Sequence, residues 1–345
     1  MDLLPQMPQN EVIGDNFVKA WTYINRTQYS TILCDISGGS DSDLVLDICC
    51  RCDKDKKIHY AYYDTGIEYK ATKDHLDYLE NKYGVTIYRY HAYKYGLCVP
   101  TACKIYGQPF LSKQVSEFMM RLQMHDFQWE DESYEVLINK YPNCISALKW
   151  WCNNKGNDDN PDSKFGINRN KWLKEFIIAN PPRFKISNKC CQYAKKDVYH
   201  KVAKEINAQM NIYGVRKAEG GARASAYKSC FSNDDILARY RPIWHYKEND
   251  KRDYEAHFGI VHSECYSKYG LQRTGCVGCP FGRNFEEELE ACKKYEPNLY
   301  KAVCNIFKDS YEYTKQYRNF CKVMNEKAKK KENYHQMSIW DYELN

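Results

Sequence analysis

Apolar and polar positions along the chain change period several times. Residues 14–27 carry apolar side chains at helical spacing, and TILCDI at 31–36 is a short run of β-formers. A helical pattern begins near Asp43, a second β-type run, IHYAYYD, fills 58–64, and helical spacing returns over 69–84. VTIYRYHA at 85–92 is a third strand. Strands starting near 31, 58 and 85, with helices between them, have the rhythm of βαβ units and predict a parallel, twisted α/β sheet with flanking helices. From 109 to 178 the segments are helical, separated by polar stretches such as KGNDDNPDSK. A helix resumes over 197–207, strands are expected at 211–216 and 239–246, and the chain is helical from Phe285 onward. Four segments follow: a first α/β half at 1–108, a helical insertion at 109–178, a second α/β half at 179–284 and a helical region at 285–345.

Composition narrows the class. Of 345 residues, 43% are hydrophobic and 28% charged, enough to build a core. No apolar run is long enough to span a membrane. The N-terminal stretch MDLLPQMPQNEVIGDN has neither the basic start nor the apolar run of a signal peptide, so a cytoplasmic location is expected. The net charge of +6 fits an anionic ligand and permits nucleic acid without requiring either. Seventeen cysteines, an odd number in a chain of this size, argue against a disulfide scaffold and for thiols that pack or bind metal. Cys49, Cys50 and Cys52 lie in a helical pattern and are expected to pack against the sheet, and Trp129, Trp150 and Trp151 to pack in the helical segment.

The sharpest local signal is Ser37-Gly38-Gly39-Ser40-Asp41-Ser42, between the first strand and the following helix. Two glycines allow a tight turn that aims successive N–H groups at one point, and the helix adds its positive end. Ser37 and Ser42 can add hydroxyl donors, and Asp41 is placed to bind a metal or orient the loop. The pattern lacks the GK[ST] ending of a Walker loop. It resembles the PP-loop of the adenine nucleotide alpha-hydrolase superfamily. Asp64-Thr65-Gly66-Ile67-Glu68, with Thr72 after it, resembles the DTGxE…T element of that superfamily's phosphoadenosine phosphosulfate (PAPS) reductase branch. Gly214-Val215-Arg216-Lys217-Ala218-Glu219, with Arg223 beyond, is similar to its GxRxxE…R segment.

Cys276 and Cys279 form a CxxC pair, and Cys190 and Cys191 are adjacent. Spacing alone leaves zinc, an iron–sulfur cluster and no metal open. The CC…CxxC arrangement resembles the [4Fe–4S] signature of adenylylsulfate (APS) reductases. That resemblance implies a cluster on Cys190, Cys191, Cys276 and Cys279, with Lys195 as the basic residue between cluster and nucleotide. It further implies a nucleotide site of Ser37, Gly38, Gly39, Ser40, Asp41, Ser42, Asp64, Thr65, Gly66, Arg216 and Arg223, with Ser37, Asp41, Arg216 and Arg223 acting on the reaction.

The chain departs from the reductases in two places. Ser40 stands where they carry a loop lysine, and the C-terminal stretch YHQMSIWDYELN lacks their nucleophilic cysteine, the last one being Cys321. The resemblance is therefore to the IbrA-like and DndC-like members. For these it implies an ATP pyrophosphatase or adenylating enzyme, using Mg²⁺, coupled to sulfur transfer. An APS or PAPS reductase releasing sulfite, and a non-catalytic nucleotide or redox sensor, are the alternatives. A ParB/sulfiredoxin-like protein is the implied partner, and a nucleic-acid acceptor is left open.

Overall fold

The computed structural model describes residues 8–153, 166–220, 226–233 and 237–342, with the side chains of the long final helix described as far as residue 330. The chain divides into two compact units. The first comprises residues 1–100, 191–278 and 284–303, and the second 101–190, 279–283 and 304–345.

The first unit is built on a six-stranded sheet. Its strands are β1 (Ile32–Asp35), β2 (Ile58–Asp64), β3 (Ile87–His91), β4 (Met210–Tyr213), β5 (Phe231–Asn233) and β6 (Ala238–Tyr240), in the order β3-β2-β1-β4-β6-β5. All pairings are parallel except β5 with β6. Ile32 pairs with Ile58 on one side and Met210 on the other, so β1 is central. The apolar runs noted in the sequence are buried because helices cover a parallel sheet on its faces. Helices α1 (Glu11–Ile24) and α2 (Ser40–Cys52) contribute Ile13, Phe17, Leu44, Val45, Ile48 and Cys49 to the core with Ile32, Cys34, Tyr60, Ile212 and Tyr240.

Cys49 and Cys52 are fully buried, and Cys34 Sγ lies 4.0 Å from Cys49 Sγ. Burial raises the Cys34 and Cys49 thiols and pushes Cys50 up to about 12, so these sulfurs pack as neutral small hydrophobes.

Several boundaries differ from the periodicity. Helix α1 begins at Glu11 because the Asn10 side chain accepts from the N–H groups of Val12 and Ile13. The strand expected over 239–246 stops at Tyr240, two residues before Pro242, which has no N–H to give a ladder. The helix expected from 197 is preceded by a π-helical turn, Gln192–Lys196, leading into Asp197–Glu205.

The second unit is helical among its described residues. Lys113–Gln123, Tyr134–Lys140, Ile145–Trp151 and Leu173–Ala179 pack with the long helix Lys308–Tyr342 around Phe110, Met119, Leu122, Phe127, Leu148, Trp151, Phe176, Tyr313 and Tyr317. Trp129, Trp150 and Trp151 are buried here, and the indole N–H of Trp151 donates to the Glu130 carbonyl at 2.8 Å. No helix among the described residues is long and apolar enough to cross a membrane.

Candidate functional site: an anion loop at the strand crossover

The central strand sets the location. The chain leaves β1 toward β2 and β3 on one side, and β4 lies on the other. Between the carboxyl ends of β1 and β4 the strand order reverses, and open α/β sheets form their ligand crevice at such a point. The loop 37–42 follows β1, and Gly214–Arg216 follows β4. Chain direction therefore brings two segments far apart in sequence to one place.

The loop's shape depends on its small residues. Gly38 has φ +68°, and a Cβ on it would stand 2.7 Å from Thr72 Cγ2. Side chains other than glycine are disfavoured there for both reasons. Ser42 Oγ accepts from the N–H groups of Ser37 (3.3 Å) and Gly39 (3.1 Å) and donates to the Gly39 carbonyl (2.8 Å). Its hydroxyl is spent inside the loop, so Ser42 holds the turn instead of offering a donor outward. The Ser40 N–H donates to the Tyr266 hydroxyl at 2.9 Å. Among the described residues, the N–H groups of Gly38 and Asp41 have no acceptor, and they sit at the start of α2, where the helix dipole favours an anion.

Asp41 is the charged hub. Arg216 Nε lies 3.1 Å from one carboxylate oxygen and Lys251 Nζ 2.8 Å from the other. Burial would raise this carboxyl, but the Lys251 ammonium and then the hydrogen bonds and Arg216 bring it below its ordinary value. Arg216 also reaches Glu248 at 3.0 Å, and its N–H donates to Glu219. Gly214 makes the approach possible, since a Cβ there would be 3.2 Å from the Asp41 carbonyl group.

At the end of β2, Asp64 accepts from the Gly66 N–H (2.9 Å) and from Lys73 Nζ (2.9 Å), with His91 Nδ1 at 3.2 Å. The N–H groups of Thr65, Gly66 and Ile67 all point at the Glu68 carboxylate, at 3.0 to 3.2 Å. Three successive donors around a carboxylate form a backbone anion nest, filled here by the chain's own side chain. The Thr65 hydroxyl donates to the same carboxylate. Burial pushes Glu68 up to about 7, against the pull of Lys195, while Asp64 is held down to about 2 by its hydrogen bonds to Glu68 and Lys73 despite burial.

Lys195, on the π-helical turn, lies among the Cys276 and Cys191 thiols and the Glu68 carboxyl. Cys276 acts on it most strongly, ahead of Glu68 and Cys191, and together they raise its pKa against the opposing effect of burial. Thr65 Oγ1 lies 3.4 Å from Cys276 Sγ. The structure thus brings Cys191, Lys195, Glu68, Thr65 and Cys276 together in the first unit, while Cys190 and Cys279 belong to the second. Among the described residues, no group of three or more His, Cys, Asp or Glu is disposed to hold a metal ion. The four cysteines implied by the resemblance, Cys190, Cys191, Cys276 and Cys279, are thus divided between the two units.

Of the other expected site residues, Ser37 through Ser42 and Arg216 converge, and Asp64, Thr65 and Gly66 lie at the end of the neighbouring strand. Arg223 falls outside the described residues. Sequence reasoning missed Lys251, Tyr266 and Glu248. Each lies more than 200 residues from the loop in a stretch without a motif, and only the loop's own lack of a lysine hinted that a cation had to come from elsewhere.

No family model and no curated protein matches the chain. Among solved structures, it is similar to phosphoadenylyl-sulfate (PAPS) reductase from Candida auris in a phosphate complex. Identity is 12%, the TM-score 0.40, and the match covers 79% of this chain and 97% of that one. It is also similar to the NH3-dependent NAD synthetase of Campylobacter jejuni subsp. jejuni (12% identity, TM-score 0.36, 89% and 96% covered). A third is the U34-tRNA thiolase NcsA of Methanococcus maripaludis with its [4Fe-4S] cluster (12%, 0.37, 88% and 78%). At these scores the likeness does not extend to function.

Proposed function

We propose that the chain is an adenine nucleotide-binding enzyme that adenylates an acceptor. In this reading the 37–42 loop receives the phosphates of ATP, and the adenylated acceptor is activated for sulfur transfer. The observation that carries the reading is the pair of unpartnered backbone donors, Gly38 and Asp41 N–H, at the strand crossover beside Arg216. Fixed donors beside a guanidinium suit the charge that develops when a phosphoryl group changes hands.

An acceptor oxygen attacks the α-phosphorus, and a new O–P bond forms as the bond to the β-phosphate oxygen breaks. Pyrophosphate leaves with that electron pair, and the acceptor's proton passes to a base. The loop N–H groups and Arg216 offset the charge on the departing pyrophosphate. The Ser37 hydroxyl, which donates to Ser42 Oγ at 3.2 Å, becomes a further donor only by turning toward the phosphates. Both Asp41 carboxylate oxygens are taken by Arg216 and Lys251, so magnesium, where used, would be held by the nucleotide's own phosphates.

The sulfonucleotide reductase reading has less behind it. Cys321 lies within the helix Lys308–Tyr342, and its thiol donates to the Lys171 carbonyl at 3.5 Å. A cysteine so fixed is unsuited to delivery on a free tail.

The test is product analysis on anaerobically purified protein given ATP, APS and PAPS separately, each with a dithiol. AMP and pyrophosphate from ATP are expected. Sulfite from APS or PAPS would replace this reading with the reductase. The four-cysteine cluster, proposed from the resemblance alone, is tested on the same preparation by its iron and acid-labile sulfide, with Cys276→Ser as control.

A further inference from the structure

The anion loop contains no cation of its own, because Ser40 occupies its fourth position. A lysine arrives there from elsewhere. Helix α3 (Glu248–Phe258) carries Lys251 on its inward face, and the residue is only 8% exposed. Its ammonium lies 2.6 Å from Ser40 Oγ and 2.8 Å from Asp41 Oδ1. Burying an ammonium is costly unless it is paired and hydrogen-bonded, so a lysine so enclosed has a role that offsets the cost.

Asp41 alone does not account for it, since that carboxylate is already met by Arg216 at 3.1 Å. An ammonium has three donors. Two are taken by Ser40 and Asp41, and Glu255 stands beyond hydrogen-bond distance at 3.8 Å. Among the described residues, no acceptor reaches the third.

A chain of contacts fixes Lys251 from behind. Glu255, one turn along the same helix, accepts from His262 Nε2 at 2.9 Å, and His262 Nδ1 lies 2.7 Å from the fully buried Asp43 of α2. His75 Nε2 stands 3.1 Å from the other Asp43 oxygen. The helix bearing Lys251 is thereby tied to the helix bearing Asp41 through charged side chains.

We propose that Lys251 is the phosphate-binding cation of the loop, supplied by a distant helix to the position of Ser40 and held there by the Glu255–His262–Asp43 chain. Its ligand is the phosphate of the nucleotide proposed above, on which reading this inference rests. An arriving phosphate takes the third ammonium donor together with the Gly38 and Asp41 N–H groups, and meets Arg216 across Asp41.

The experiment is calorimetric titration of the full chain with ATP and, separately, with inorganic pyrophosphate. It compares wild type, Lys251→Gln, Lys251→Arg and the double variant Ser40→Lys/Lys251→Gln, each first checked by circular dichroism and melting. Losing one charge-assisted contact should weaken binding of both probes about 10- to 100-fold in Lys251→Gln. Lys251→Arg should retain most of the affinity. The double variant, with the charge returned to the loop, should recover most of the loss.

Unchanged binding in Lys251→Gln overturns the inference. So does a loss that neither the arginine nor the relocated lysine recovers, which would assign Lys251 to holding the loop's shape. A wild-type chain that binds neither probe refutes the nucleotide reading itself, and the role of Lys251 falls with it.

Discussion

Gly38 in the loop and Asp47 in the helix behind it can each be tested by a single substitution. Gly38 adopts a left-handed conformation against Thr72. Replacing it with alanine adds both backbone strain and a clash, together on the order of 1–3 kcal/mol. Gly38→Ala should lower the unfolding free energy by that amount in a denaturant titration and weaken ATP binding in parallel. Asp47, fully buried about two turns into α2, accepts from Arg51 Nε (2.7 Å), Tyr83 (2.8 Å) and Tyr254 (2.5 Å). Asp47→Ala leaves two phenol hydroxyls without their acceptor, while the partly exposed Arg51 turns to solvent, and should cost about 2–4 kcal/mol. A loss under 1 kcal/mol would mean that water replaces the carboxylate.

His262 predicts a pH dependence. Burial alone would lower its pKa, but hydrogen bonds to Asp43 and Glu255 outweigh burial and lift it from 6.5 to about 9. A histidine raised on folding contributes stability that is complete below 6.5 and lost as pH climbs through 9. Melting temperature should therefore fall between pH 6.5 and 9 more steeply in wild type than in His262→Gln, the difference being on the order of 1–3 kcal/mol. Identical slopes would remove the imidazolium from the account. The groups facing it from the packed elements are Asp43, Glu255, and the ring of Tyr266.

At the scale of elements, the strands with a long apolar run were legible and the short ones were not. The first three recur with helices between them, and β1, β2 and β3 lie where the runs TILCDI, IHYAYYD and VTIYRYHA place them. β5 is a three-residue antiparallel edge, too short for periodicity to register. RYRPIWHY is rich in β-formers and predicts a longer strand than β6, whose pairing the proline at 242 ends. The π-helical turn before Asp197 has no sequence mark, yet it sets the position of Lys195. Such a turn inserts a residue into the helical ladder and often accompanies a functional position. Capping is a more local matter. Asn10→Ala removes the two side-chain bonds at the start of α1 and should cost about 1 kcal/mol, read as a shift of the chemical-denaturation midpoint with unchanged slope.

For the molecule as a whole, the sequence motifs locate the loop, and only the topology explains why distant segments meet there. Gly39 of SGGSDS and Gly214 of GVRKAE are 175 residues apart, yet parallel pairing of β1 with β4 puts both segments at one crossover. Lys251 shows the limit of reading motifs, because its helix, ENDKRDYEAHF, has the composition of a solvated face and a mean character dominated by charge. Burial of that lysine follows from the docking of its helix on α2 through Tyr254 and Asp47, a long-range packing event no local pattern encodes.

The claim on which the account turns is that the 37–42 loop holds the phosphates of an adenine nucleotide. Equilibrium dialysis of ATP against wild type and Gly38→Ala, with and without excess pyrophosphate, tests it most directly. Saturable binding in wild type that pyrophosphate displaces is expected, with binding at least about tenfold weaker in a folded Gly38→Ala. ATP binding that ignores both the substitution and pyrophosphate, or no binding at all, would contradict it.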